Sequence, residues 1–455
     1  MSSDTSEHER ARVRALVIRH GWNATAFQTL ESGYRYFFYG VDACVAYVDT
    51  GGAWVAAGAP IASADAFEEA VSAFVEAARS AGRRACFFAS EERLNASTGE
   101  ALRSLNIGEQ PIWDPRCWPE VLRHRRSLRE QLRRARAKGV KVRLLSADEL
   151  ERGQTHDSMS RIAERWLGSR AMAPMGFLVR LEPFTFPGER RCFVAEMEGR
   201  VVAFADLIPV PARAGWFLED LVRDPHTPNG TGELLVDAAM RWAATSGCTW
   251  LTFGLAPLAG TLPRWLRWIR HGTGFLYDFE GLFAYKAKFQ PNAWLPIFLS
   301  YPARQSLLLS IADALRAFAP GGFLVFGLRS LLRGPKVVLR VLAILLVPWT
   351  ALLMLAPAER TFGAAWIKWA WVYFDLGLSL ALFHLLLKRS RWLLTALCLA
   401  VSGDALLTTL EAALWNFPRA GSTLDYFLIA LACAGPLLAA IVLWGARRHR
   451  LHSGW

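Results

Sequence analysis

The chain has 455 residues, 52 Lys/Arg against 40 Asp/Glu for a net charge of +12, 53% hydrophobic residues and 19 Trp. That length accommodates two soluble domains of ordinary size plus an apolar bundle, and the positive excess favours polyanionic partners: anionic lipid headgroups, nucleic acid, or both. Its seven cysteines, Cys44, Cys86, Cys117, Cys192, Cys248, Cys398 and Cys433, are odd in number and form no Cys-x-x-Cys pair. They read as reduced, mostly buried thiols rather than a disulfide frame or a metal site.

In chain order, the first ten residues are too polar for a signal peptide. Residues 34–39, 43–48 and 53–57 are aromatic or apolar runs broken by turn residues such as Gly51-Gly52, which predicts a meander of short strands. Phe67, Val71, Phe74, Val75 and Ala78 fall at helical spacing before Gly82, and residues 85–89 resume a buried strand. The second half repeats this order: a hairpin of 191–198 and 201–209 around Gly199, a strand over 215–222, a helix over 233–245, and a strand over 249–254. Gly58-Ala-Pro-Ile-Ala and Gly254-Leu-Ala-Pro-Leu-Ala form a weak echo of duplication.

Between the halves, residues 123–143 hold ten Lys/Arg and one acid. Ser127 and Glu130 match a capping box and Gly139 a stop, so a helix is expected over 128–138. Arg126, Arg129, Arg133 and Arg136 lie on one stripe of it, opposite Leu128, Leu132 and Ala135. Such a stripe is either a solvated face or a surface that tracks phosphates. A second basic run, Leu262-Pro-Arg-Trp-Leu-Arg-Trp-Ile-Arg-His271, has the composition of an interfacial segment or of a core helix whose arginines snorkel. Segments 307–318 and 323–332 are apolar but short, and are expected to lie along a membrane rather than cross it.

Four apolar segments close the chain, at 337–356, 364–387, 392–410 and 426–444, each near the ~20 residues that cross a bilayer. Residues 337–455 carry ten Lys/Arg and five Asp/Glu. The basic residues concentrate before the first segment, between the second and third, and after the fourth. The positive-inside rule therefore predicts a multi-pass membrane protein with the soluble part and the C-terminus in the cytoplasm. Lys368, Asp375, His384, Asp404 and Glu411 are ionisable residues within these segments, placed to bind a headgroup or to pair with one another.

The most loaded stretch runs from Leu218 to Leu235, where a strand ending in charged residues meets a Pro/Gly turn that opens a helix. Backbone N–H groups face an anion in such a turn. Gly230-Thr-Gly232 resembles the end of the acetyltransferase Arg/Gln-x-x-Gly-x-Gly signature, but Thr227 stands where Arg or Gln is expected, which argues against coenzyme A. Asp220 and Arg223 are either an ion pair pinning the turn or working groups: a carboxylate that accepts a proton or holds an ammonium, and a guanidinium that meets phosphate or an oxyanion.

Five ordered blocks resemble the catalytic domain of bacterial phosphatidylglycerol lysyltransferases: Tyr36-Phe-Phe-Tyr39 with Gly58-Ala-Pro60; Leu128-Arg-Glu-Gln-Leu-Arg-Arg-Ala135; Asp220-Leu-Val-Arg223 with Pro228-Asn-Gly230; Phe253-Gly-Leu-Ala-Pro-Leu-Ala259; and Gly281-Leu-Phe-Ala-Tyr-Lys-Ala-Lys-Phe-Gln-Pro291 with Trp294. The resemblance covers about residues 20–300. It implies two tandem acetyltransferase-like α+β folds (residues 1–122 and 146–300, joined by the basic helix of 123–145); the apolar pattern adds interfacial segments (301–336) and the four-span all-α domain (337–455). It also implies an aminoacyl-tRNA donor and an anionic membrane lipid, phosphatidylglycerol first, as acceptor. By the same resemblance Asp220, Arg223 and Lys288 are catalytic, and Lys286, Asn229, Gly230 and Gly232 bind substrate. An aminoacyl ester is already activated, so its transfer needs alignment, a proton acceptor and cationic stabilisation, with no cofactor and no metal. Family members usually carry a large transmembrane flippase region before this domain, whereas here four apolar segments follow it. The alternative readings are an acyl-CoA-dependent acyltransferase and an inactive, membrane-tethered binding module. For the lysines the alternative is a solvated strand face.

Overall fold

The computed structural model describes residues 2–170, 173–260, 262–263, 265–266, 278–333, 335–355, 365–387 and 391–452. They form two compact units, one of Met1–Leu167 with Pro174–Phe323 and one of Gly168–Ala173 with Leu324–Trp455. Most of the basic run 262–271, including Arg264, Arg267 and Arg270, lies outside the described residues, as do the loops carrying Arg360, Lys388 and Arg389.

The first unit opens with a helix, α1 (Ser2–His20), where a polar start carried no periodic signal. Its one apolar stripe, Val13, Leu16 and Val17, is fully buried against Phe27, Ile208 and Val210, so tertiary packing holds it. Strands β1 (Arg35–Tyr39), β2 (Ala43–Asp49), β3 (Ala53–Ala57) and β4 (Ile61–Ala62) form the expected antiparallel meander. Helix α2 (Phe67–Ser80) follows and buries the predicted Phe67, Val71, Phe74 and Ala78. Strand β5 (Arg84–Ser90) then pairs parallel to β3. After α3 (Glu92–Thr98) comes β6 (Leu102–Trp113), then α4 (Trp118–His124), α5 (Arg126–Ala137), β7 (Lys141–Leu144), α6 (Ala147–Glu151) and α7 (Gln154–Ser169). The second meander is β8 (Arg191–Met197), β9 (Arg200–Val210) and β10 (Gly215–Arg223). Helix α8 (Thr231–Thr245) follows it, and β11 (Leu251–Thr252) pairs parallel to β10. Short β12 (Ala256–Pro257), helix α9 (Phe279–Ala287), β13 (Ala293–Pro302) and α10 (Leu307–Phe318) complete the unit.

Both halves thus share meander, helix and a parallel return strand. The Gly-Ala-Pro echo is not part of that correspondence: Gly58 follows the last long meander strand, β3, whereas Gly254 follows the return strand β11. What the two glycines share is a positive φ, 78° and 68°. Among the described residues the strands make one sheet in the order β1-β2-β3-β5-β13-β6-β11-β10-β9-β8-β7, with β4 on β2 and β12 on β6. Strand β13, from the end of the unit, is inserted between β5 and β6, pairing antiparallel with both.

Helix α5 begins two residues earlier than expected and has no capping box. Arg125 is its N-cap without a side-chain bond, because α4 runs almost directly into it. Glu130 instead binds Arg133 at 2.7 Å and Arg134 at 3.1 Å. The predicted inner face, Leu128, Leu132 and Ala135, is buried against the core beneath α8.

The second unit is helical: α11 (Phe323–Arg333), α12 (Pro335–Leu355), α13 (Ala365–Leu387), α14 (Arg391–Glu411) and α15 (Thr423–His452). Leu378, Leu382, Leu397, Cys398, Val401 and Leu443 form its core, while many large apolar side chains, such as Leu406, Leu414, Phe427 and Ile441, face outward. Two stretches are long and apolar enough to cross a membrane, Trp392–Arg419 and Asp425–Gly445, and Leu342–Leu355 is a shorter apolar helix.

Candidate active site

Strand β10 carries a bulge. Its register against β9 passes from Leu218↔Leu207 directly to Asp220↔Asp206, leaving Glu219 as an extra residue. The bulge turns two successive acids toward one face, where Asp206, Glu219 and Asp220 bring carboxylate oxygens within 4.8 Å of one another. Arg190, just before β8, reaches into this group with a fully buried side chain. Its Nη1 donates to Asp206 and, at 2.6 Å, to Glu219; Nη2 lies 3.5 Å from Glu31. Thr185 fixes the same guanidinium through its carbonyl at 2.6 Å and its hydroxyl at 2.9 Å. A divalent ion could fit the spacing of the three carboxylates, but an organic cation already engages two of them.

Of four buried or half-buried carboxyls here, Asp206, Glu219 and Glu31 share one guanidinium, and among the described residues several carboxyl atoms have no partner. Among the described residues, Glu31 Oε2, Asp206 Oδ1, Glu219 Oε1, Asp220 Oδ2 and the Tyr34 hydroxyl have no hydrogen-bond partner and are shielded from solvent. Buried polar atoms are rarely left so, and a cluster of them makes this the candidate site. Burial, opposed by Arg190 and reinforced by Glu219, pushes Asp206 up to about 7. Burial together with Glu219 and Asp206 raises Asp220 well above the carboxylate range, and burial with Glu219 does the same to Glu31. Burial and the neighbouring Glu31 raise the Tyr34 phenol. Glu31 and Tyr34 belong to the first half of the unit, so both halves build the cluster.

Asp220 and Arg223 do not converge. Their β9 partners are Asp206 and Ala203, three positions apart on a strand whose side chains alternate, so they point to opposite faces. Arg223 is exposed and on the α8 side, where its charge acts on the buried Tyr285 phenol; burial first and Glu233 second raise that phenol, and Arg223 opposes them. Lys288 is on that side too, ion-paired with Glu233 and 4.7 Å from the Tyr285 ring. The expectation that one carboxylate and one guanidinium meet at the Gly230-Thr-Gly232 turn is thus corrected by the strand's alternation.

The turn is spoken for by packing. A Cβ on Gly230 (φ 97°) would come within 2.4 Å of the Gln131 carbonyl of α5, and one on Gly232 within 3.1 Å of the Tyr285 hydroxyl. These glycines let α5 and α9 approach α8. Asn229 is exposed, and the Thr227 hydroxyl donates to the Val202 carbonyl at 2.9 Å. Lys286 and Lys288 lie at the end of helix α9, not on a strand. Lys286 is buried and donates all three N–H bonds to the carbonyls of Phe253, Gly254 and Leu255, at 2.7, 3.0 and 2.9 Å. No donor remains for substrate, so it acts as a pin for the segment after β11; burial lowers its ammonium to about 7.

On α5, Arg126 and Arg133 are exposed, and Arg133 pairs with half-buried Glu130 one turn back. Arg129 bonds the Leu122 carbonyl at 2.5 Å, closing the end of α4. Arg136 binds Asp237 at 2.8 Å; this buried carboxylate on α8 also takes Trp118 and Arg241.

The family model for phosphatidylglycerol lysyltransferase, C-terminal, matches residues 14–301. The chain belongs to this family. Among lysyltransferase relatives, the lysylphosphatidylglycerol biosynthesis bifunctional protein LysX of Nocardia farcinica is 27% identical over 289 residues, 60% of this chain and 25% of that protein. The phosphatidylglycerol lysyltransferase of Bacillus subtilis is 30% identical over 166 residues, 34% of this chain and 19% of that protein. The chain thus spans a quarter or less of the length of these two. Two solved structures share the fold: a DUF2156 domain from Agrobacterium fabrum (TM-score 0.59, 22% identity, 70% of this chain and 100% of that one) and L-PGS from Bacillus licheniformis (TM-score 0.58, 22% identity, 68% and 96%). The likeness to these two structures is one of fold, an α+β unit in which the meander, helix and return strand occur twice on one sheet. Sequence reasoning singled out Asp220 but missed Glu31, Tyr34, Arg190, Asp206 and Glu219, although Glu219 stands beside Asp220 in an otherwise apolar strand and that pairing was the available signal.

Proposed function

We propose that the chain transfers an aminoacyl group from aminoacyl-tRNA to the hydroxyl of an anionic membrane lipid, with phosphatidylglycerol the first acceptor to test. The lipid hydroxyl attacks the ester carbonyl carbon, a tetrahedral oxyanion forms, and the bond to the tRNA ribose oxygen breaks, that oxygen leaving with a proton. The observation that carries this reading is the set of unpartnered carboxylate oxygens around Arg190. The amino groups of an aminoacyl ester supply the donors that Asp220, Glu219, Asp206 and Glu31 lack. An arriving ammonium supplies the positive charge that lets the raised carboxyls ionise, and with one guanidinium among four carboxyls more than one ammonium can be met in this way, which favours an amino acid with a cationic side chain, lysine first. Asp220 acts here as a holder of ammonium, not as the partner of Arg223. Arg223 and Lys288, on the opposite face, are assigned to anionic groups of the substrates.

Arg126 and Arg133, on the outer face of α5, supply phosphate contacts to tRNA, with Arg129 and Arg136 fixing the helix beneath them. The apolar helices of the second unit support membrane insertion. The fuller topology we propose is four crossings, α12 to α15, in a bacterial cytoplasmic membrane, with the soluble unit and the C-terminus in the cytoplasm. Lipid extracts from cells expressing the wild type or Asp220→Asn, compared by mass spectrometry, test the reading. An aminoacylated lipid present with wild type and absent with the variant supports it. No such lipid from wild type in the presence of charged tRNA and phosphatidylglycerol overturns it.

A further inference from the structure

Helix α10 is fixed to the first unit by one face and presents an apolar face outward. Inward, Asp313 makes a two-pronged ion pair with Arg84 of β5, at 2.6 and 2.8 Å. Ala314 and Ala317 enter the core beside Val55 and Tyr301, and Phe318 packs edge-on against Phe88 and Phe177 with ring centroids 4.9 and 5.2 Å away. Outward, Leu308 is 74% exposed, Leu315 56% and Leu309 48%. Leu308, Ala312 and Leu315 recur at intervals of four and three residues and so share one stripe. Arg304 and Arg316 flank it, both exposed, while the helix's single acid, Asp313, is the residue turned inward.

A helix packed on a soluble core normally shows water its polar side. Here the polar and charged residue is buried in a specific pair, and the leucines face out, the reverse arrangement. An exposed apolar stripe rimmed by cations is the pattern of a helix lying in the headgroup region of an anionic bilayer. Continuity of the chain says what covers it: only four residues separate Phe318 from α11, which leads to the apolar helices of the second unit.

We propose that α10 is an interfacial helix whose Leu308/Ala312/Leu315 stripe sits in the cytoplasmic leaflet, and that its ion pair with Arg84 sets which side of the catalytic unit meets the lipid. The inference rests on the membrane reading above, and its test separates the two. The full chain, carrying Cys117→Ser and Cys433→Ser, is placed in nanodiscs containing phosphatidylglycerol. A fluorophore is attached to one new cysteine at a time: Leu308→Cys, Leu315→Cys, Val41→Cys at the β1–β2 turn, or Leu428→Cys on α15. Quenching by brominated lipids is then read at each position. Strong quenching at 308, 315 and 428, with none at 41, is the expected result. Quenching at 428 with 308 and 315 no different from 41 overturns the interfacial helix and leaves membrane insertion standing. Absence of quenching at 428 overturns both. Self-quenching between labels at 308 without lipid quenching overturns the proposal in favour of a second copy of the chain on that face.

Discussion

Replacing Arg190 with Met removes the one cation shared by Asp206, Glu219 and Glu31 while filling most of its volume. Breaking a buried ion pair by removing one partner typically costs about 3–5 kcal/mol, because the remaining charge is uncompensated. Here several carboxyls are left, so at pH 8 the loss should reach the upper part of that range. The dependence on pH is the sharper signature. A carboxyl whose folded pKa is raised contributes stability that is complete below its unfolded value near 4 and lost as pH rises through the folded value, about 7 for Asp206. Without Arg190 that folded value rises further, so the variant should lose stability more steeply than wild type between pH 5 and pH 8. At pH 5 Asp206 and Glu31 are neutral in either protein, and the variant's deficit should shrink toward that of lost hydrogen bonds, about 1–2 kcal/mol. Denaturant unfolding of the detergent-solubilised full chain, followed by tryptophan fluorescence at both pH values, measures it. A deficit equal at pH 5 and pH 8, or larger at pH 5, would refute the buried acids as its source.

Asp220→Asn should lower transfer by about two orders of magnitude, the usual scale for a lost polar group in the transition state, while leaving stability at pH 8 unchanged or higher, since Oδ2 has no partner to lose; single-turnover assays and melting curves read the two effects. Removing Arg126 and Arg133 together should flatten the log–log salt dependence of tRNA binding by about 1.8, at 0.9 per phosphate, and an unchanged slope assigns α5 to lipid or solvent. Lys286→Met leaves three buried carbonyls without a donor, which costs about 1–3 kcal/mol for each one water cannot reach; stability equal to wild type in denaturant unfolding would show that the pin is dispensable.

The elements most legible in the sequence were those whose periodicity is local. The meander of β1–β3, the stripe of α2 and the hairpin around Gly199 all follow from alternation, helical spacing and turn residues within a dozen positions. Helix α1 was not legible because only Val13, Leu16 and Val17 among its residues contact the core. Strand β13 escaped for another reason: it lies in the middle of the sheet, yet its partners β5 and β6 are some two hundred residues away, and nothing local reports such a pairing. For the site, Asp220 stood out in the motif, but its direction did not. The bulge at Glu219 is visible only as a register against β9; it sets Glu219 and Asp220 on one face beside Asp206, while plain alternation over three positions separates Asp220 from Arg223. Likewise, a lysine two residues from another in one motif carries no hint that Lys286 is fully bonded inside while Lys288 pairs with Glu233.

The position of the acid cluster also bears on what each half contributes. Only the second half carries the bulged strand with Glu219 and Asp220. Yet Glu31, from the first half, closes on Arg190, Gln28 of the same turn donates to the Leu178 carbonyl at 3.1 Å, and Ser32 is held by Glu182 and Arg180 of the segment that leads to Arg190. The first half therefore walls one side of the cluster and keeps water from the raised carboxyls. The insertion of β13 between β5 and β6 makes this arrangement hard to undo, because separating the halves requires breaking a central strand on both edges. Low dielectric around Asp206 and Asp220 thus depends on long-range pairing, and that dependence ties the chemistry of the second half to the folding of the first.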